Sequence, residues 1–284
     1  MRKVRLDKAQ TGSVVARPIY TLDGVVLLSA GTRLTREHRE KLRNYGITEI
    51  FIEDSFSEGL NIPEIIKEEV ITEVKCQVKK LMSSPSAKVS VDVKKVGEIV
   101  ERLISNILSN EQIVASLCDV RSTDEYTFSH SVNVSVISIV TGIGLGMKGE
   151  TLQNLGIGAL LHDVGKVRID DAILKKPTSL TGAEYEEVKR HTVYGYEILK
   201  NSEGISDDAC DIALSHHERL DGSGYPRKLK GRDIQVPTRI VAIADVYDAL
   251  TTDRVYRRRM MPHDVLDYML SLGGRQFDKN ILDT

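Results

Sequence analysis

Apolar and polar positions follow two different periods along this chain of 284 residues. Over residues 1 to about 55 the period is short. SVVARPIYTLDGVVLL carries β-rich runs on either side of Asp23-Gly24, a dipeptide that favours a tight hairpin because both residues tolerate positive φ. TREHREKLRNYG switches to helical spacing, with Gly46 placed to stop it, and ITEIFIED reads as a closing strand. His38, among the charges of that helix, reads as solvated. Further on, Ile66, Val70, Val74, Val78 and Leu81 share a helical face, and SSPSAKVS then breaks the pattern as a loop. Val96, Val100, Leu103 and Ile107 resume it at steps of four, three and four. That stripe fits a homodimer seam and equally fits helices packing on the next domain; it is too short for a coiled coil.

From about residue 119 the text is mostly helical, with glycine-rich joints. SVNVSVISIV is ambiguous. It alternates apolar and polar residues as a strand does, yet His130, Val134, Ile137 and Thr141 fall on one helical face. Periodicity alone does not decide between the two.

Composition narrows the class. A length of 284 residues suggests two domains, or one with an accessory part. Hydrophobic residues are 41% and charged residues 28% of the chain, ordinary for a globular protein with a real core. A net charge of -2 gives no general attraction to a nucleic acid polymer or to a membrane, RVYRRR at 254–259 being a local exception. No apolar run approaches the ~20 residues of a membrane span, and MRKVRLDKAQ lacks the apolar stretch of a signal peptide. Cys76, Cys118 and Cys210 are far apart and form no CxxC pair, which gives neither a disulfide framework nor a thiolate zinc site. A cytoplasmic protein is expected.

The chemistry lies in the histidines. Five of the seven fall between 130 and 217. His162 and Asp163 interrupt ALLHDVGK near the end of an apolar helix. His191 lies on a helix opened by the capping-box pair Thr181 and Glu184, on a face shared with Val188, Gly195 and Ile198. Ala209, Ile212 and Ala213 lead to His216 and His217. IVAIADVYDAL sets Asp245 and Asp248 three apart in an apolar run. A buried, unpaired carboxylate costs at least several kcal/mol, so Asp163 and Asp245 need cations. Histidines and carboxylates on inward helix faces are the usual makeup of a metal site between packed helices. His216 and His217 diverge by about 100 degrees on a helix, but converge on one ion if they sit at its end, which ERLDGSGYP supplies.

HDVGK at 162–166, HHE at 216–218 and GYP at 224–226 together resemble the HD-GYP family of HD-domain metal phosphohydrolases. Members of that family degrade the bacterial second messenger cyclic di-GMP. DEYTFSHSVNV, ILKKPTSLT and IADVYDALTTDRVYR continue the likeness, in family order, over roughly residues 119 to 281. The resemblance implies a mainly α protein. Residues 119–284 would be an HD-type helical bundle, 56–118 connecting helices and 1–55 a small β-rich (α+β) regulatory or assembly module. It also turns SVNVSVISIV into a helix.

The same resemblance implies two divalent metal ions, iron or manganese. His130, His162, Asp163 and Asp245 would hold one; His191, His216 and His217 would hold the other, with Asp163 bridging. Some members hold a third ion through a glutamate one turn before the first histidine; here that position is Tyr126. Lys166, Lys175, Asp248, Arg254 and Arg257 match the family's contacts to phosphate and guanine. Lys166 is also a candidate general acid and, with Asp163, the expected catalytic pair. The GYP loop, with Gly222, Gly224 and Pro226, is expected to shape the site or touch a signalling partner. The chain stops at QFDKNILDT, where the family continues into another helix. Rival readings are a non-catalytic cyclic dinucleotide receptor, and a phosphohydrolase acting on another nucleotide, cyclic GMP-AMP included.

Overall fold

Short strands open the chain. β1 (Arg2–Arg5), β2 (Val14–Val15) and β5 (Glu49–Glu53) form an antiparallel sheet in the order β1-β5-β2, with Val4 opposite Ile50. β3 (Ile19–Tyr20) and β4 (Val26–Leu28) pair as a separate antiparallel ribbon. Helix α1 (Arg36–Asn44) lies between β4 and β5 in sequence. Gly46 stops it as expected: at φ +77 it lets Ile47 N–H reach the Leu42 carbonyl at 3.0 Å and its own N–H reach Arg43 at 3.0 Å. His38 is not simply solvated. It is half-buried at the third helical position, where its N–H meets Thr35 Oγ1 at 3.1 Å and its Nδ1 lies 3.4 Å from Thr35 N. The imidazole plays the part that a glutamate usually plays in a capping box. Leu6, Val15, Leu34, Leu42, Ile50 and Ile52 make the core here.

The computed structural model describes residues 1–21, 25–53, 68–82, 91–109, 126–252 and 259–284. The Asp23-Gly24 turn, SSPSAKVS and Cys118 lie outside the described residues. The chain divides into two compact units, Met1–Gln77 with Asn106–Ser129, and Val78–Ser105 with His130–Thr284. After α2 (Glu68–Met82), the helices are α3 (Val93–Leu108), α4 (Tyr126–Gly144), α5 (Gly149–Leu161), α6 (Asp171–Leu174), α7 (Gly182–Lys189), α8 (His191–Lys200), α9 (Asp207–Ser215), α10 (Val236–Thr251), α11 (Pro262–Ser271) and α12 (Lys279–Leu282). A mainly α protein with a small N-terminal β part is what the chain forms. No helix among the described residues is long and apolar enough to cross a membrane.

Helix α4 resolves the ambiguity of SVNVSVISIV. Its residues 129 to 139 are buried all round. Ser131, Ser135 and Ser138 occupy the positions that looked like a polar face, and each is fully enclosed. Serine is small enough to sit between packed helices and can satisfy its hydroxyl across the contact, as Ser135 does by donating to the Gly156 carbonyl of α5 at 3.0 Å. The stripe of α3 is likewise taken inside the chain. Val96, Val100, Leu103 and Ile107 have no exposed surface, and Val100 packs on Gly156 of α5. That burial fits the reading of α3 as a packing helix.

The second unit places its helices by close contact. α5 and α8 both pack on α9, and the 3-10 turn Val164–Arg168 lies against α8. That last contact is set by Gly165, where a Cβ would stand 1.9 Å from the His191 carbonyl oxygen and 2.4 Å from Gly195 N. Both obstacles are backbone, so relief requires a helix to move. Gly165→Ala is expected to lower the unfolding free energy by about 3 kcal/mol, the upper end of overpacking costs. The reading would be a lower urea midpoint at unchanged m-value; an unchanged midpoint would show that the turn and α8 can separate freely.

Candidate metal centre

Five elements deliver the seven residues singled out as metal-binding. His130 comes from α4. His162 ends α5, and Asp163 follows in a non-helical conformation (φ -97, ψ 6) that turns its side chain out of the helical row. The Thr181–Glu184 capping box forms, but the helix it opens ends at Lys189. His191 is the first residue of α8, a separate helix, so the single helix read from sequence is two. α9 stops at Ser215, which leaves His216 and His217 at its end, where they converge with ring centroids 4.1 Å apart. Asp245 comes from α10.

The histidine rings are held by their Nδ1 atoms. His162 Nδ1 meets the Ala159 carbonyl at 2.7 Å, His191 Nδ1 meets Val188 at 2.6 Å, and His216 Nδ1 meets Ala213 at 3.0 Å. A carbonyl only accepts, so each Nδ1 carries the proton and each neutral ring turns a bare Nε2 lone pair inward. Among the described residues nothing donates to His162 Nε2, which is buried without a hydrogen bond. His191 Nε2 and His216 Nε2 face each other at 3.3 Å, lone pair to lone pair. A cation relieves that repulsion, and the donor set fits one.

Asp163 sits at the centre. Its Oδ1 faces His191 Nε2 at 3.4 Å and His216 Nε2 at 3.9 Å. Its Oδ2 faces His162 Nε2 at 3.4 Å and His130 Nε2 at 3.8 Å. The two oxygens thus look toward two different sets of nitrogens. His191, His216 and His217 form one group whose ligand atoms lie within 4.8 Å of one another; His130, His162 and Asp245 form a second, and His162, Asp163 and His216 join them. Three-donor groups of this composition can hold divalent ions. Nearby, Asp245 meets His130 Nε2 at 3.1 Å and His217 Nδ1 at 3.7 Å.

Burial opposes the charge of Asp163, but the Lys166 ammonium outweighs it and keeps the carboxyl well below its usual range. Burial opposes Asp245 in the same way, and His130 offsets it. Burial lowers His191 and His216 and brings His217 down to about 3, with the neighbouring histidines adding to the effect. His130 differs: burial disfavours its charge, yet Asp245 and Asp248 lift it to about 9. A cation taken up there displaces the Nε2 proton.

The remaining expected site residues are placed unevenly. Lys166 is at the centre, its Nζ donating to Asp163 Oδ2 at 2.5 Å. Lys175 is exposed and paired with Asp171 at 2.6 Å. Asp248 is buried against His130 rather than open to a ligand. Arg254 and Arg257 lie outside the described residues, as do Asp124, Glu125 and the side chain of Tyr126.

Glu218 had no assigned role in the sequence, although it directly follows the histidine pair. It is buried, and its carboxylate accepts from Arg227 N–H at 2.7 Å and Leu229 N–H at 3.0 Å, which ties the GYP loop shut. Gly224 completes the closure, since a Cβ would lie 2.4 Å from Glu218 Cα. Tyr225 then rests on the His217 ring, centroids 4.8 Å apart. The loop is a wall of the centre.

These shifts predict a pH profile for the metal-free protein. His191, His216 and His217 bind fewer protons folded than unfolded at mildly acidic pH. Their contribution is complete above the ordinary value of 6.5 and is lost as the pH falls toward about 3. His130 contributes below 6.5 and loses that contribution as the pH rises through about 9. Urea unfolding of chelator-treated protein should therefore show greatest stability near neutrality and a decline on both sides. A flat acid limb would contradict neutral, buried histidines.

The family described as HD domain matches residues 103–281. Over 192 residues the chain is 33% identical to the cyclic di-GMP phosphodiesterase PA4108 of Pseudomonas aeruginosa, covering 68% of this chain and 46% of that protein. It is 39% identical over 166 residues to the 3'3'-cGAMP-specific phosphodiesterase 1 of Vibrio cholerae, covering 58% and 38%. With a cyclic di-GMP phosphodiesterase of Thermotoga maritima it shares 38% over 161 residues, covering 56% and 44%. The chain thus spans less than half the length of these three relatives. In fold it matches Bd1817, a HDG"Y"P protein from Bdellovibrio bacteriovorus, with a TM-score of 0.66 over 99% of this chain and 97% of that one, at 16% identity. With the HD pair at the centre of the converging histidines and the GYP loop as their wall, this chain belongs to the HD-domain family, in its HD-GYP form.

Proposed function

We propose that the chain is a metal-dependent phosphodiesterase that hydrolyses cyclic di-GMP to linear pGpG, and pGpG further to GMP if it re-enters the site. The observation that carries this reading is the inward turn of the Nε2 atoms about both oxygens of Asp163. His130, His162, Asp163 and Asp245 would hold one divalent ion and His191, His216 and His217 the other, with Asp163 shared. Iron or manganese suits such a mixed imidazole and carboxylate set. Bound there, the two ions supply the acidity that makes water nucleophilic near neutral pH and compensate charge on the phosphate.

The protein's own groups do the rest. Water adds to phosphorus, the bond to the ribose 3′ oxygen breaks, and that oxygen leaves with a proton. Lys166, within reach of Asp163, is placed to neutralise a phosphoryl oxygen or to give that proton. Lys175 can join the phosphate set at small cost, because an exposed pair such as Lys175–Asp171 is worth about 1 kcal/mol or less. Arg254 and Arg257 enter the substrate set by family position.

The names of the relatives support a cyclic dinucleotide as substrate and include both cyclic di-GMP and 3'3'-cGAMP enzymes. Both substrates carry the same phosphodiester links, so base choice rests on few contacts. A cytoplasmic location and a regulatory role for the N-terminal unit accompany this reading. Exposed Asp221, Ser223, Arg227 and Lys228 on the GYP loop are open to a signalling partner.

The test is anaerobic loading with iron(II) or manganese(II), addition of cyclic di-GMP or cyclic GMP-AMP, and separation of the nucleotides, with His162→Ala alongside. Linear product from the wild type and none from the variant is the expected result. Intact substrate with both metals verified as bound would favour a receptor instead.

A further inference from the structure

Asp248 is three residues beyond Asp245 on α10 and faces a different neighbour. Its Oδ2 lies 2.7 Å from His130 Nδ1. Its Oδ1 accepts from Asn133 Nδ2 at 2.8 Å, with Thr252 Oγ1 at 3.4 Å. Asn133 is one turn along α4 from His130, and both residues are buried, as is Asp248. Each carboxylate oxygen therefore has a protein donor, and the side chain is enclosed. A carboxylate that reads guanine must offer free lone pairs to base N–H groups; this one offers them to α4.

The geometry points to Asp248 as a positioning residue: with Asn133 it fixes the His130 ring so that Nε2 faces Asp245 and Asp163. This rests on the reading of His130 as a metal ligand. His162, His191 and His216 direct Nδ1 to carbonyls three residues back, on their own chain segment. His130 Nδ1 instead meets a carboxylate 118 residues away, on another helix. A carboxylate behind a ligating imidazole raises its basicity and sets its orientation, and removing such a partner typically costs about 10- to 100-fold in metal affinity. The same contact ties α4 to α10.

Manganese(II) titration of the whole protein, followed by the electron paramagnetic resonance signal of free ion, tests this without any need for turnover. Asp248→Ala should weaken one class of site by about 10- to 100-fold. Asp248→Asn, which keeps an acceptor and nearly the same shape, should recover most of that loss. In a His130→Ala background Asp248→Ala should add nothing further, because both changes act through one contact. At saturating metal the KM for cyclic di-GMP should stay near wild type. Unchanged affinity in both Asp248 variants, with His130→Ala impaired, would overturn the positioning role alone. A raised KM with intact metal binding would do the same and return Asp248 to the substrate set. Unchanged binding in His130→Ala as well would remove the ligand reading along with it.

Discussion

A single buried carboxylate organises the second unit. Asp163 has almost no access to water and remains ionised because the Lys166 ammonium outweighs the cost of burial. An ion so enclosed must be paired, and a missing partner would cost several kcal/mol. Three helix ends, at His162, His191 and His216, and the body of α4, at His130, are arranged around it. The break after His162 turns Asp163 inward, Gly165 lets the next turn lie on the backbone of α8, and the stop after Ser215 brings two adjacent histidines to the same place. The fold and the site are one construction, in which a change at either oxygen of Asp163 is felt by both groups of nitrogens.

The arrangement is rigid because its support is mostly backbone. His162, His191 and His216 are held by carbonyls within their own segment, and the GYP loop is held by Glu218 through two N–H groups. Backbone supports add no flexible side chains, so the nitrogens are aimed before any ligand arrives. Neutral, buried imidazoles are unfavourable neighbours in the absence of a cation. The facing Nε2 atoms of His191 and His216 represent stability withheld from the empty protein and available on binding.

Much of this was legible in the sequence. Gly46 and the Thr181–Glu184 box act as local rules require, because their partners lie within a few residues. The inward histidines were legible as a set, since so many ligands in apolar helices call for a shared cation. What escaped was decided by distant contact. Ser131, Ser135 and Ser138 gave α4 the look of a strand because the pattern does not reveal that a helix is enclosed on every side. The break at Arg190 lies beside the close approach of Gly165 to the His191 carbonyl, a contact that no local signal carries. Asp248 has the spacing of a ligand-facing residue, and only the position of His130, 118 residues earlier, assigns it elsewhere.

The central claim is that Asp163 joins two ion sites into one centre. The most direct measurement is the electron paramagnetic resonance spectrum of metal-depleted protein given manganese(II) stepwise under anaerobic conditions. The account predicts two ions per chain, and a spectrum at full loading altered by exchange coupling through the shared carboxylate. Saturation at one ion per chain, or two ions that keep the signal of isolated manganese, would contradict it.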